Sequence, residues 1–326
     1  MSPDASIISR SMTAPASEST CFVIPAESPK YLLARQVIDR SDAPGNGYPI
    51  RVFSAGDDDE FKAFQETIIP VFRQLEWDQY DVRHAEMRFI EATNHSLSSD
   101  DHELLLSYYR GEIEHASIIS LIKDIDPKEV EKVLVPYRKK ACTKFNALEQ
   151  SDNESWSIRK QAPGSVHQHV AQNDYRSIAR TYGQIPDEII NHPIFVRLLS
   201  NVIYMAKESR TAATAMQITA WMMSCYTWTK GPTTNSPEGI HQDGADYIVS
   251  AYVIERTNVI GGTSRVFRED DLENSLMKFQ LRPGEGLFQA DAGSPLWHDA
   301  THIEIADERQ PFGVRSLLGF DVDITG

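Results

Sequence analysis

The C-terminal half of the chain constrains the fold most, because strand patterns follow one another there without helices between them. Beyond Thr211 the period of the apolar residues changes to that of strands, in segments bounded by turn signals such as Gly261-Gly262 and Pro283-Gly284. We predict strands over 214–228, 246–255, 263–269, 274–281, 285–290, 295–305 and 314–324. Strands without crossover helices cannot form a doubly wound parallel sheet, so the pattern predicts an antiparallel sandwich or a jelly-roll barrel.

The segment before these strands has a helical period instead. Its apolar residues recur at spacings of three and four, and acidic or Asp-Pro starts suit helix N-termini. We predict helices over 57–75, 81–92, 99–118 and 126–148, and a further helix over 186–205. The first four make a helical layer that packs on the strand-rich core.

The chain therefore divides into three parts of an α+β fold. Residues 1–55 are rich in Ser, Pro and Ala and are predicted to be a mobile tail, extended near 48–53, with a functional lid as the alternative. Residues 56–150 are the helical layer. A polar stretch near 151–155 opens the last part, a jelly-roll domain over 151–326 with a leading helix.

Composition and charge argue against several classes of partner. With 32 Lys and Arg against 47 Asp and Glu, the formal net charge of −15 has the wrong sign for nucleic acid or an anionic membrane surface. No apolar run approaches the roughly 18 residues that a membrane-spanning helix needs, and we expect no signal peptide. Cys21, Cys142 and Cys225 are odd in number and far apart, which is typical of reduced thiols in a cytoplasmic protein. The sequence favours no particular oligomeric state.

The clearest chemistry lies at His241 and Asp243, two residues apart between a turn and a long apolar strand. Residues two apart on a strand point to one face, so this imidazole and carboxylate would lie side by side. A distant histidine would complete two His and one carboxylate, a set that leaves coordination positions open and suits non-haem Fe(II) chemistry. His298 and His302, four residues apart on a later predicted strand, are the two candidates.

Arg315 follows His298 by 17 residues and begins an apolar strand, where an unpaired cation is costly. A buried guanidinium is stabilised when a carboxylate meets its planar fork in a bidentate pair. No sequence neighbour supplies that carboxylate. Its partner is therefore a carboxylate of a bound ligand or, alternatively, a residue of another strand in a structural salt bridge.

Three further groups of residues are predicted to have structural roles. One Glu-x-x-His spacing occurs, but a di-iron bundle needs two copies, so a solvated helix face is predicted. Two histidines at strand spacing have no third ligand nearby and are interpreted as surface or supporting residues. An aromatic group is predicted to pack in the core. In order, these groups are Glu112 with His115; His167 with His169; and Trp221 with Tyr226 and Trp228.

A His-x-Asp pair followed by one histidine and then one arginine resembles the Fe(II)/2-oxoglutarate-dependent dioxygenases. Three segments more narrowly resemble the bacterial family that hydroxylates free amino acids, typified by isoleucine hydroxylase: 237–244 (Pro-Glu-Gly-Ile-His-Gln-Asp-Gly), 256–264 and 283–286. The resemblance covers roughly residues 161–321. His302 departs from the family pattern, which has Pro at that position.

This resemblance implies roles for the residues that match. His241, Asp243 and His298 would hold Fe(II), with His298 preferred to His302 because its spacing to Arg315 fits the family better. Arg315 would pair with the far carboxylate of 2-oxoglutarate, whose keto acid end binds the metal. The implied reaction consumes O2, converts 2-oxoglutarate to succinate and CO2, and hydroxylates an unactivated C–H bond.

The implied substrate is a free L-amino acid or a close derivative. Such a molecule needs a cation for its carboxylate and an acceptor for its ammonium, and Glu238 and Arg265 are the candidates by proximity. Two other functions stay open: a jelly-roll metal-dependent isomerase or hydrolase that uses no 2-oxoglutarate, and a non-enzymatic binding protein whose helical layer presents a partner surface. Arg315 distinguishes the first alternative, and an intact metal triad argues against the second.

Overall fold

The computed structural model describes residues 21–24, 48–54, 58–123, 125–151, 155–167, 177–228 and 231–326. In these ranges the chain has a mixed α/β fold with mostly antiparallel sheets. The helices are α1 (Asp58–Gln74), α2 (Gln79–Thr93), α3 (Ser99–Arg110), α4 (Ile119–Ile122), α5 (Pro127–Val133), α6 (Asp187–Ile190) and α7 (Pro193–Ser209). None of the helices in the described ranges is long and apolar enough to cross a membrane.

The strands form one large sheet and two small ones. They are β1 (Cys21–Ile24), β2 (Ile50–Phe53), β3 (Arg138–Glu149), β4 (Trp156–Lys160), β5 (Ala215–Trp228), β6 (Tyr247–Thr257), β7 (Val259–Gly261), β8 (Ser264–Arg268), β9 (Met277–Phe279), β10 (Gly286–Ala290), β11 (Leu296–Ala300), β12 (Ile303–Ile305) and β13 (Phe312–Ile324). The eight-stranded sheet has the order β1-β4-β3-β5-β13-β6-β10-β2, beside the sheet β11-β8-β9 and the pair β12-β7.

Most of the predicted elements are confirmed. Each of the seven predicted strand segments contains an observed strand, and the segment 295–305 divides into β11 and β12. The predicted helices over 57–75 and 81–92 correspond to α1 and α2. Strand β2 confirms the extended segment near 48–53, whereas most of the predicted tail lies outside the described residues.

The helix predicted over 126–148 is wrong beyond Val133. Pro136 disfavours helical geometry at the residue before it and has no N–H to donate, so the helix that begins at Asp126-Pro127 stops. The chain then forms β3, which pairs with β5 over its length, from Arg138 opposite Cys225 to Leu148 opposite Ala215. The last part of the predicted helical layer is therefore a central strand of the large sheet.

Two other predicted helices are shorter than expected, for local reasons. The helix predicted over 99–118 ends at Arg110, because Gly111 has a left-handed φ of 75° and caps it. The helix predicted over 186–205 is divided into α6 and α7, since the His192 ring accepts from the backbone N of Ile194 and restarts the helix. Both breaks follow local backbone chemistry rather than the apolar period.

The two faces of the large sheet have different surroundings. Helices α1 and α7 cover one face, where the Phe195 ring lies 6.0 Å from Phe320 of β13 and 6.3 Å from Phe145 of β3. Alternate residues of β13, Arg315 and Leu317 among them, line a cavity on the opposite face. The sheet therefore separates an apolar core from a polar cavity.

Helices α2, α3 and α5 pack together, and residues of α2 and α3 line the cavity. Here the Nε2 of His115 lies 2.7 Å from a carboxylate oxygen of Glu86, and the Tyr108 hydroxyl donates to the other at 2.8 Å. His115 thus contacts a buried acid, while Glu112, beyond the end of α3, is exposed. His167 is exposed, and His169 lies outside the described residues.

Candidate active site

A backbone bridge between two distant histidines organises the site. His241 and His298 exchange two backbone hydrogen bonds of 2.9 Å each, and their ring centroids are 4.3 Å apart. His298 is held on β11, which pairs with β8. His241 precedes β6 and is not in a continuous strand, contrary to the prediction, but this bridge fixes it in an extended pairing.

The Asp243 carboxylate lies between the two imidazoles. Its Oδ1 is 3.5 Å from the Nε2 of His241, and its Oδ2 is 3.3 Å from the Nε2 of His298. Potential ligand atoms of the three residues lie within 4.8 Å of one another. The intervening Gln242 donates to the carbonyls of Asp291, Ser294 and Leu296 at 2.9, 3.1 and 2.8 Å.

Hydrogen bonds behind the ligand set orient it. The Nδ1 of His241 lies 2.8 Å from the carbonyl oxygen of Gly239, so this nitrogen donates, and the Nε2, which faces the carboxylates of Glu238 and Asp243, is the nitrogen that would bind a metal after losing its proton. The buried Asp291 accepts from the backbone N–H groups of Asp243 and Gly244 at 2.9 and 2.8 Å. Both contacts preorganise the ligands.

The three side chains are electrostatically coupled. Burial acts against ionisation of Asp243, but hydrogen bonds from His241 and His298 hold its pKa well below the usual range. Burial lowers the pKa of His241, yet the carboxylates of Glu238 and Asp243 together raise it well above its ordinary value. Burial and the neighbouring Asp243 raise the pKa of Asp291 to about 6. A group of acids around two imidazoles is an environment that favours a cation.

Arg315 is buried in the wall of the same cavity, with 1 % of its surface exposed. Its Nη1 donates to the Oδ1 of Asn235 at 3.0 Å, whereas its Nε and Nη2 have no hydrogen-bond partner among the described residues. Burial and the nearby Arg256 lower its pKa to about 10. Two unsatisfied donors of one guanidinium match a carboxylate in bidentate geometry.

The cavity that joins these residues has a volume of about 150 Å³. Gly262, with a φ of 64°, lies beside the Arg315 side chain, and a Cβ there would be 2.9 Å from the Cδ of Arg315. The predicted Gly261-Gly262 turn therefore leaves room for the arginine as well as reversing the chain.

Comparison with known proteins assigns the chain to a family. The family model for the 2OG-Fe dioxygenases matches residues 124–321, more than half of the chain. The chain belongs to this family. The dioxygenase family uses Fe(II), 2-oxoglutarate and O2, and the described residues include the His-Asp-His set that such a metal needs. No curated protein matches the chain.

Several solved structures are similar in part to this dioxygenase. A bsmA homologue from Methylobium petroleophilum PM1 shares 21 % identity over 58 % of this chain and 74 % of its own, with a TM-score of 0.48. IDO from Bacillus thuringiensis shares 13 % identity over 58 % and 79 %, with a TM-score of 0.48. TqaL, an Fe(II)/α-ketoglutarate-dependent dioxygenase, shares 14 % identity over 82 % and 90 %, with a TM-score of 0.42. At these values the similarities bear on neither substrate nor residue roles.

The residues of the dioxygenase fit its cofactors. His241, Asp243 and His298 would hold Fe(II) and would leave coordination positions for 2-oxoglutarate and O2. The donors of Arg315 that have no partner among the described residues suit the far carboxylate of 2-oxoglutarate. His302, the alternative ligand, has an exposed side chain and only its backbone carbonyl is used, accepting from Gly262. The geometry therefore brings His298 rather than His302 to Asp243.

The two predicted substrate contacts are placed differently. Glu238 lines the cavity, with a carboxylate oxygen 2.9 Å from the Nε2 of His241. Arg265 is bonded to both oxygens of Asp299 and is not among the residues that line the cavity. Iron at His241 would take the nitrogen that Glu238 now contacts, leaving that carboxylate beside the metal.

Several cavity residues are not predicted from the sequence. Trp221 is buried with Cys142 and Val166, which confirms its predicted core packing, but it also lines the cavity and donates from its indole N–H to Asp321 at 2.7 Å. Tyr226 and Trp228 pack with Trp77. Three cations also line the cavity: Arg138, Lys140 and Arg180. The alternation of β3 could have indicated the first two, had that segment been interpreted as a strand.

Proposed function

We propose that the chain is an Fe(II)/2-oxoglutarate-dependent dioxygenase that hydroxylates an unactivated C–H bond of a free L-amino acid or a close derivative. His241, Asp243 and His298 hold Fe(II), and Arg315 binds the far carboxylate of 2-oxoglutarate. When bound, the iron and 2-oxoglutarate together activate O2, and succinate and CO2 are the coproducts. The protein binds one C–H bond in a fixed position and excludes water from it.

The observation that supports this most strongly is the state of Arg315. Two of its donors are buried without a partner in the described residues, in a cavity that also contains the three ligand side chains. Leaving a buried charged donor unsatisfied costs more than about 1–3 kcal/mol, and an anionic ligand offsets that cost. A metal-dependent isomerase or hydrolase needs no carboxylate at this position.

The support for an amino acid is the pairing of opposite charges in one small cavity. Carboxylates of Glu238 and Asp321 and the cations Lys140 and Arg180 all line it. A zwitterion brings a charge opposite to each of these groups, whereas an apolar substrate would bury them further without adding a favourable contact.

We also propose that the sheets together form a double-stranded β-helix, or jelly roll. In support of this, β11 of the small sheet and β6 and β13 of the large sheet contribute residues to one cavity, which is therefore enclosed between sheets. On this proposal the metal lies between the two sheets, close to the His241–His298 bridge.

The test is succinate formation from 2-oxoglutarate across the twenty free L-amino acids, with Fe(II) present. We expect one amino acid, or a few of related shape, to stimulate succinate formation and to gain one oxygen by mass spectrometry. Arg315→Ala is expected to raise the KM for 2-oxoglutarate about 10- to 100-fold, because a bidentate charged hydrogen bond is lost.

Arg51→Ala is the matched control, since Arg51 pairs with Glu208 away from the cavity. Arg51→Ala should leave the KM for 2-oxoglutarate and the KM for the amino acid unchanged. Turnover that proceeds equally well without 2-oxoglutarate, or Arg315→Ala with an unchanged KM for it, would contradict the proposal in favour of a different metal-dependent enzyme.

A further inference from the structure

One face of β13 runs along the cavity. Arg315, the proposed contact for 2-oxoglutarate, lies at one end of this face, and the carboxylate of Asp321 lies at the other. Arg315, Leu317, Gly319 and Asp321 alternate along this strand and all line the cavity. Six residues of strand separate Arg315 from Asp321, about 20 Å along the backbone. A five-carbon diacid held at Arg315 covers only part of that distance, so the Asp321 end has room for another molecule.

Gly319 keeps that end open. It pairs with Trp221 of β5, and a Cβ placed on it would lie within 3.5–3.8 Å of the backbone of Val249 and the side chain of Trp221. Any larger side chain would project from Gly319 into the cavity, because strand side chains point out of the faces of the sheet. The indole of Trp221 therefore forms one wall of this end, with Asp321 beside it.

Asp321 has an unfilled acceptor in this space. Its Oδ2 accepts from the indole N–H of Trp221 at 2.7 Å, and this is its sole hydrogen bond within the described part of the chain. None of the described Lys, Arg and His side chains lies within ion-pair distance of it. Burial raises the pKa of Asp321 well above the usual range, and the charge of Asp243 adds to the effect, so a cation bound beside Asp321 is what would stabilise its ionised form.

We propose that Asp321 binds the ammonium group of the substrate and so determines how far from the amino group the reactive C–H bond lies. This inference rests on the proposed function for its choice of an amino acid and adds the residue that recognises the amine. A carboxylate with one oxygen held by an indole and the other open to an enclosed cavity suits an N–H donor of positive charge. The cation that the site lacks would come from the ligand.

The positions of these groups also indicate which part of the cavity binds which ligand. Arg315 binds at one end, the candidate metal ligands come from the loop before β6 and from β11 of the small sheet, and Asp321 is at the other end. The substrate carbon that reaches the metal is the one whose distance from the amine matches this spacing. A substrate whose amine is blocked should lose both affinity and position.

Asp321→Asn is the decisive variant, because an amide oxygen can still accept from the Trp221 indole while the charge is removed. The probe is the best amino acid of the twenty, compared with its N-acetyl derivative and with the same acid lacking the amine. We expect Asp321→Asn to raise the KM for the free amino acid at least about tenfold. The two analogues should be used equally by wild type and variant, and so should 2-oxoglutarate.

Asp323→Asn is the matched control, an acid on the same strand and face that does not line the cavity. It should behave as wild type. An unchanged KM for the amino acid in Asp321→Asn would overturn the inference. So would a loss of 2-oxoglutarate affinity equal to the loss for the amino acid, because that pattern indicates general damage to the site.

A second measurement separates this inference from the function on which it rests. If no amino acid stimulates succinate formation in the wild type, the proposed function fails, and the ammonium site is tested by melting temperature. Primary alkylamines and amino acids are added to protein loaded with Mn(II) and 2-oxoglutarate. Stabilisation of the wild type but not of Asp321→Asn supports the ammonium site, and no difference between them overturns it.

Discussion

Asp243 is the only carboxylate of the candidate ligand set, and its two oxygens lie between the two imidazoles. Asp243→Ala should therefore reduce Fe(II) or Mn(II) binding at neutral pH below detection, since two neutral imidazoles hold a hard divalent ion weakly. Anaerobic calorimetry with the metal alone measures this directly.

The matched control is Asp270→Ala, because Asp270 pairs with Arg268 on the surface. Normal metal affinity is expected there. If Asp243→Ala bound iron as tightly as the wild type, the ligand assignment would be wrong and another carboxylate, such as Glu238, would have to replace it.

Gly262 is a second residue at which one atom decides function. An added Cβ would approach the Cδ of Arg315 and the Cγ2 of Ile303 to 2.9 Å, so Gly262→Ala should displace the arginine. We expect the KM for 2-oxoglutarate to rise about tenfold or more with metal affinity retained. Gly293→Ala separates crowding from backbone strain, since Gly293 has a similar φ of 74° but no atom within 4 Å of the added Cβ.

Both variants should lose about 1 kcal/mol of stability from the left-handed backbone. Only Gly262→Ala should also raise the KM for 2-oxoglutarate. Equal kinetic effects in the two variants would show that Arg315 does not depend on the space that Gly262 leaves.

At the level of elements, α2 and β3 are joined by a buried ion pair between Asp81 and Arg138. Arg138 also donates to the backbone carbonyl of Asn235 at 2.7 Å, and the side chain of Asn235 accepts from Arg315. Asp81→Asn leaves Arg138 buried without its carboxylate, so we expect a loss of about 3 kcal/mol in the free energy of unfolding. Urea denaturation measures it.

The contact chain predicts a second effect of Asp81→Asn, a higher KM for 2-oxoglutarate, because Asn235 is no longer held by a fixed Arg138. Asp187→Asn is the comparison, because Asp187 is largely exposed in its pair with Lys160, and this substitution should lower the free energy of unfolding by less than about 1 kcal/mol.

A double variant, Asp81→Leu with Arg138→Met, should recover much of the stability. If it is as unstable as Asp81→Asn, burial of an unpaired charge is not the cause.

The site residues and strand β3 show what the sequence can and cannot indicate. The sequence does indicate the polar site residues, because they occur within or beside apolar strand patterns where packing alone would not require an imidazole, a carboxylate or a guanidinium. These residues are the His-x-Asp pair, His298 and Arg315. Strand β3 cannot be predicted from the sequence, because its Lys, Ala and Leu residues favour a helix and its strand geometry comes from pairing with β5. Missing β3 hides Arg138 and Lys140 from the predicted cavity.

Segments far apart in the chain build the cavity of the whole molecule. The candidate metal ligands come from the loop before β6 and from β11, Arg315 and Asp321 from β13, and the cations Arg138 and Lys140 from β3. Spacing along the chain predicts the first of these groups. The enclosure itself depends on how helices and sheets pack, which period and propensity do not encode.

If one molecule of 2-oxoglutarate contacts both the metal and Arg315, metal and 2-oxoglutarate must stabilise the folded protein together. We expect Mn(II) alone to raise the melting temperature, 2-oxoglutarate alone to raise it little, and the pair to raise it more than the sum. A ligand at 100 times its Kd adds about 2.7 kcal/mol, or several degrees for a chain of this size. Arg315→Ala should retain the increase in melting temperature caused by Mn(II) and lose the increase caused by 2-oxoglutarate. Asp243→Ala should lose both increases. Equal stabilisation by 2-oxoglutarate with and without Mn(II) would show that it binds away from the metal, and the assignment of Arg315 would fail with it.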